Sequence, residues 1–232
     1  MSAQNPWWGK ALRVIGIVLM SLTAAFTLIG GIGTACVALD PTGFGGKFAG
    51  IAPFQWLYIL FVIVTTAVGV WGARVVVRLA RGNKGTYRRA LLVLAAGIVV
   101  GSVHMAASRA LRGGSMPVDM VTYTTVLTLV VFLLFRAPGV WQKTGFEGGD
   151  ASAKKGQAAA AIALAATGLL TLTVQFLMAP THSIGGINYA DVWHATLSVL
   201  GSAQLLAAGT MLVRQQSAPA SRVGEREMAA RA

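Results

Sequence analysis

The sequence predicts an all-α polytopic membrane protein, a bundle of six transmembrane helices with both termini in the cytoplasm. Three observations predict it. First, 55% of the 232 residues are hydrophobic and only 11% are charged, against about 25% charged in ordinary soluble domains. So few charges cannot cover the surface of so apolar a globule. Second, six stretches reach or approach the about 20 apolar residues that a membrane-crossing helix needs. They are 11–37, 56–77, 90–110, 118–135, 158–178 and 190–213. Third, Lys and Arg alternate between the connections.

The first stretch follows Trp7, Trp8, Lys10 and Arg13. It is longer than the about 7–15 residues of a signal-peptide core, so it is expected to remain as the first span. Gly30-Gly31-Ile32-Gly33 lies inside it. No strand precedes these glycines, so a phosphate-binding loop is excluded. Cys36 is the single cysteine. That rules out an intrachain disulfide, a CxxC pair and an iron–sulfur cluster held by this chain alone. Its small and apolar neighbours predict a buried, inert thiol.

The Gly/Pro-rich run from Asp40 to Lys47 reads as an irregular outer loop. Trp56 and Tyr58 open the second span, Trp141 follows the fourth and Trp193 opens the sixth, positions that suit aromatic anchors at the headgroups. Residues 1–135 are read as a four-helix transmembrane part and 136–157 as a flexible cytoplasmic linker. Residues 158–213 form a transmembrane helix pair and 214–232 a disordered cytoplasmic tail. No internal repeat is evident.

Orientation follows from charge. Lys10 and Arg13 precede the first span, and Arg74, Arg78, Arg81, Lys84, Arg88 and Arg89 cluster around the second connection. Arg136, Lys143, Lys154 and Lys155 occupy the fourth connection, and Arg214, Arg222, Arg226 and Arg231 follow the sixth span. Only Lys47, Arg109 and Arg112 fall in the alternate connections. Cytoplasmic loops collect Lys and Arg, so the first set faces the cytoplasm. The net charge of +12 then needs no nucleic acid as partner. The expected partners are the lipid bilayer, including anionic headgroups at the second connection, and other membrane subunits.

Polar residues inside a bilayer mark function more often than chance. In the third span Gly97, Gly101 and His104 share a helical face. His104 is therefore expected to point into the bundle. It would lie about 21 Å from the start of its span, about 7–9 Å below the outer edge of a ~30 Å hydrocarbon core. His194 shares a face with Ser198, Gly201 and Leu205 and is expected to point inward at similar depth. His182, Asp40, Asp119, Asp191, Arg109 and Arg112 belong to the same outer side.

Three readings follow. A b-type haem could be ligated by His104 and His194, with Arg109 and Arg112 on its propionates. A metal site could use Asp191 and His194, three residues apart, completed by His182 or His104. Nearby Met105, Met116 and Met120 would suit cuprous ion. In the third reading the histidines only pack between helices and the outer acids pair with the outer arginines. Gln175 and Gln204 are read as interhelical contacts in preference to a polar path or quinone pocket. Thr122, Thr124, Thr125 and Thr128 are expected to bond their own backbone. No GxSxG, P-loop, HExxH or CxxCH is present. The sequence thus predicts an accessory or anchoring subunit of a membrane complex, with a haem electron carrier or a small-solute transporter as alternatives.

Overall fold

In a bilayer each backbone N–H and C=O must be satisfied within its own segment, so long apolar runs become helices. The computed structural model describes residues 7–146, 153–178, 183–184 and 187–216. It is all-helical apart from a two-residue antiparallel pairing of Ser183–Ile184 with Ile187–Asn188. The long helices are α1 (Trp7–Leu39), α2 (Gln55–Ala80), α3 (Thr86–Arg112), α4 (Val118–Leu134), α6 (Ala153–Met178) and α8 (His194–Gln216). Short helices α5 (Trp141–Thr144) and α7 (Tyr189–Val192) precede α6 and α8, and a 3-10 turn over Ala49–Phe54 leads into α2.

Among the described residues five helices are long and apolar enough to cross a membrane. The exception is α4, with 17 residues. Most helices run past the apolar stretches because flanking charged residues continue the backbone ladder. The opposite happens at 190–193, where α7 ends and a turn at Trp193 separates it from α8.

Helices α1 to α4 form an antiparallel ring in which each packs on the next and α4 returns to α1. Small residues set the spacing. A methyl group on Gly69 would lie 2.7 Å from Leu28, and one on Gly72 would lie 3.1 Å from Ala24. These glycines bring α1 and α2 together, as small residues do in membrane bundles. Gly101 abuts Thr122 and Gly97 faces Thr125, which closes α3 on α4. Thr23 and Thr128 share a hydroxyl hydrogen bond of 2.7 Å between α1 and α4. Helix α3 stops where Gly113, in the left-handed conformation (φ 71°), donates its N–H to the Arg109 carbonyl.

Helix α6 packs on α1 and α2 from outside the ring, and α8 packs chiefly on α6. Residues 141–146, expected within a flexible linker, are packed against the ring. Thr144 and Phe146 are buried, and Gly9 of α1 abuts the Lys143 carbonyl. Residues 147–152 lie outside the described part.

The start of α1, the end of α2, the start of α3, the end of α4 and residues 141–146 meet in one core cluster. This is the basic end of the molecule. The end of α1, the 3-10 turn, the start of α2 and the end of α3 meet in a second cluster, at the opposite end. Long stripes of Ile, Leu, Val and Phe face outward between the two ends, as contact with lipid requires. Cys36, expected to be buried, is exposed on α1. The packed face of that part of α1 is carried by Gly31 and Ala38, which turns residue 36 away from the ring.

Candidate functional site

His104 is 4% exposed and lies between α2 and α3. Its ring stacks on Phe61 at 4.3 Å and meets Tyr58 edge-on at 5.5 Å. The Tyr58 hydroxyl is 2.8 Å from Ser108 Oγ, one turn beyond His104 on α3. The inward face read from Gly97 and Gly101 is therefore the face that holds this imidazole. The imidazole fills an aromatic slot.

A cavity of about 30 Å³ lies beside it, bordered by Thr27, Thr34, Gly97, Gly101, Thr122 and Thr125. That is the size of about one water molecule. Its walls are less polar than their composition suggests. Thr27 donates to the Thr23 carbonyl, Thr34 to Gly30, Thr122 to Val118 and Thr125 to Val121. Each hydroxyl serves its own helix.

The arginines expected to meet an anionic ligand have protein partners. Arg109 donates to Asp119 at 3.2 Å, to Ser115 at 2.9 Å and to Tyr123 at 3.4 Å. Arg112 donates to the Met116 carbonyl at 2.8 Å and lies over the Phe48 ring at 5.1 Å. Both brace the turn between α3 and α4.

The remaining expected site residues are elsewhere. His194 is exposed at the first position of α8, not turned inward. The turn at Trp193 takes Asp191 and His194 onto different helices, so their three-residue spacing does not make a shared helical face. Helix α8 packs chiefly on α6, whereas α3 packs on α2 and α4, so His104 and His194 stand on helices that do not pack closely on each other. His182 lies outside the described residues, as does the Gln175 side chain. Among the described residues no group of three His, Cys, Asp or Glu is arranged to hold a metal ion. Gln204 accepts a 3.1 Å hydrogen bond from Thr171. This contact lies next to the point where Gly168 and Gly201 let α6 and α8 touch.

The sequence reading missed one residue of this class. Arg13, counted as a loop cation, is 2% exposed. It donates to the Leu79 carbonyl at 3.0 Å and to the Gly145 carbonyl, and lies over the Phe146 ring at 5.3 Å. Its Nε has no partner among the described residues. The signal was in the spacing. Gly9, Arg13, Gly16 and Met20 recur at helical intervals and are all buried. The two glycines admit residues 143–146 against α1, and Arg13 reaches between them. Around it Tyr87, Phe132, Phe135, Trp141 and Phe146 form a continuous ring cluster. Arg136 lies over Trp141 at 4.7 Å on the outside of that cluster.

Comparison with protein-family models, with curated proteins and with solved structures gives no match.

Proposed function

We propose that this chain is an accessory or anchoring subunit of a complex in the cell (inner) membrane, without catalytic activity of its own. The reading has α4 cross the bilayer together with the other five long helices, which gives six spans. Seventeen residues lie at the lower limit of about 17–25 for a spanning helix. The turn that continues to Ala137 lengthens α4 at its basic end. With six spans both termini share a side, and the cations of the basic end make that side the cytoplasm.

The observation that carries the subunit reading is the exposed face of α8. This helix has one substantial neighbour, α6. Ala195, Ser202 and Gly209, spaced by seven, are exposed on a face that also carries exposed Val199, Leu206 and Val213, and a methyl group on Gly209 would meet nothing within 4 Å. Without a hydrophobic drive between helices, membrane interfaces use small residues that let backbones approach. The small residues between these apolar side chains would let another helix seat on this face. The interior supports the same reading, since the threonine hydroxyls that border its cavity bond their own helices.

Purification in mild detergent tests it. A stoichiometric membrane partner should accompany the wild-type chain and be lost from Gly209→Leu, with the α-helical spectrum unchanged. A monodisperse, enzymatically active single chain would overturn the reading. Tags on the two termini should both be protected in right-side-out cells; access to either would remove the six-span topology.

A further inference from the structure

Helix α2 presents a shallow, open outward surface made by Val62, Ile63, Thr66, Val70 and Trp71, and Arg74 stands at its basic end. From Val62 to Arg74 this surface runs about 18 Å at the helical rise, close to the ~15 Å depth of one leaflet's hydrocarbon. The stripe continues without a break. Ile63, Ala67, Val70, Arg74, Arg78 and Arg81 follow one another at intervals of three or four residues, and all are exposed. They therefore share one face of α2. Lys84, Arg88 and Arg89, also exposed, lie just beyond.

None of these cations is in an ion pair among the described residues, where the single ion pair is Arg109–Asp119 at the other end of the bundle. Contrast Arg13, whose guanidinium is held by two carbonyls and a ring. A stripe that is apolar through one leaflet and cationic at its headgroup end matches the charge pattern of an anionic amphiphile.

We propose that this stripe seats an acidic phospholipid of the leaflet at the basic end. One acyl chain lies along Val62, Thr66 and Val70, and the phosphodiester lies against Arg74 and Arg78. The proposal rests on the reading of the chain as bilayer-spanning. It does not depend on the subunit role, which is tested on α8, so the two can fail separately.

The test is native mass spectrometry of the delipidated full chain in neutral detergent, with phosphatidylglycerol and phosphatidylcholine offered at equal concentration. Phosphatidylglycerol should be retained preferentially. An anionic surface favours each nearby Lys or Arg by about fivefold. The double variant Arg74→Gln/Arg78→Gln should therefore hold phosphatidylglycerol about thirtyfold less well, with phosphatidylcholine unaffected. Arg74→Lys/Arg78→Lys should keep most of the preference, which separates loss of charge from loss of fold. Excess glycerol phosphate should not displace the lipid. Equal retention of the two lipids, unchanged retention in the Gln variant, displacement by glycerol phosphate, or a dimer of this chain that covers the stripe would each overturn the proposal.

Discussion

The two ends of the α1–α4 ring are both closed by aromatic side chains, but they treat charge in opposite ways. At the basic end Tyr87, Phe132, Phe135, Trp141 and Phe146 form one ring cluster, and Phe146 of that cluster covers the buried guanidinium of Arg13. At the other end Tyr58 and Phe61 enclose the His104 imidazole, while Arg109 and Arg112 stay on the rim. The difference follows from where the acids are. Asp119 is within reach of Arg109, so that arginine pairs in the ordinary way. Among the described residues the three acids, Asp40, Asp119 and Asp191, all lie away from the basic end. Among the described residues the cation buried there, Arg13, is met by two carbonyl oxygens and a ring face. A one-sided charge distribution along the bundle thus goes with a different kind of contact at each end.

The comparison can be broken most forcefully at Phe146. It touches Tyr87, Phe132, Phe135, Trp141 and Arg13 at once. Phe146→Ala should cost about 3–5 kcal/mol, read as a lower midpoint in detergent unfolding. A midpoint within error of the wild type would mean that residues 141–146 do not help to close the bundle. Arg13→Leu comes next. It removes the charged-donor hydrogen bonds to the Leu79 and Gly145 carbonyls, at about 1.5–3 kcal/mol each. The Leu79 carbonyl keeps the Gly82 N–H, and the loss is partly offset by removing an uncompensated charge. A net loss of about 2–4 kcal/mol is expected. The double variant with Phe146→Ala should lose less than the sum. Strict additivity would show that the guanidinium and the ring act independently.

The other end should be milder. His104→Leu keeps the slot filled and loses the stack on Phe61, at about 1 kcal/mol. A loss as large as that of Arg13→Leu would make the imidazole more than a packing group. Smallest is Thr128→Val, which removes one interhelical hydrogen bond with Thr23 and should cost about 0.6 kcal/mol, near the average for such bonds in bilayers. Thermal melts of the four variants, side by side, give the ranking directly.

Much of the fold is legible in the sequence because bilayer thickness, span length and apolar composition are linked by simple geometry. The inward face of α3 is legible too, since Gly97 and Gly101 mark it before His104 is placed. The threonines of α4 bond their own backbone, as their hydroxyl chemistry predicts. What is not legible depends on distant partners. Counting cations by loop treats every Lys or Arg near a span as solvated, and Arg13 finds Gly145 across 132 residues of sequence. Nothing local announces that 141–146 will fold back under α1. The exposure of His194 is not legible either, because a turn residue at Trp193 separates α7 from α8 where apolar periodicity alone suggests one helix.

The one-sided attachment of α8 bears on the order in which the protein is made. Chains emerge from the ribosome N-terminus first. The direct packing among α1, α2, α3 and α4 lies within residues 7–135, but the basic end of the ring is closed by residues 141–146. The ring therefore has all of these parts only once residue 146 has emerged, with the last hairpin still to be synthesised. Helix α6 and then α8 follow in the chain, so a partner that recognises the face carrying Ser202 and Gly209 would meet a chain whose ring residues are already made.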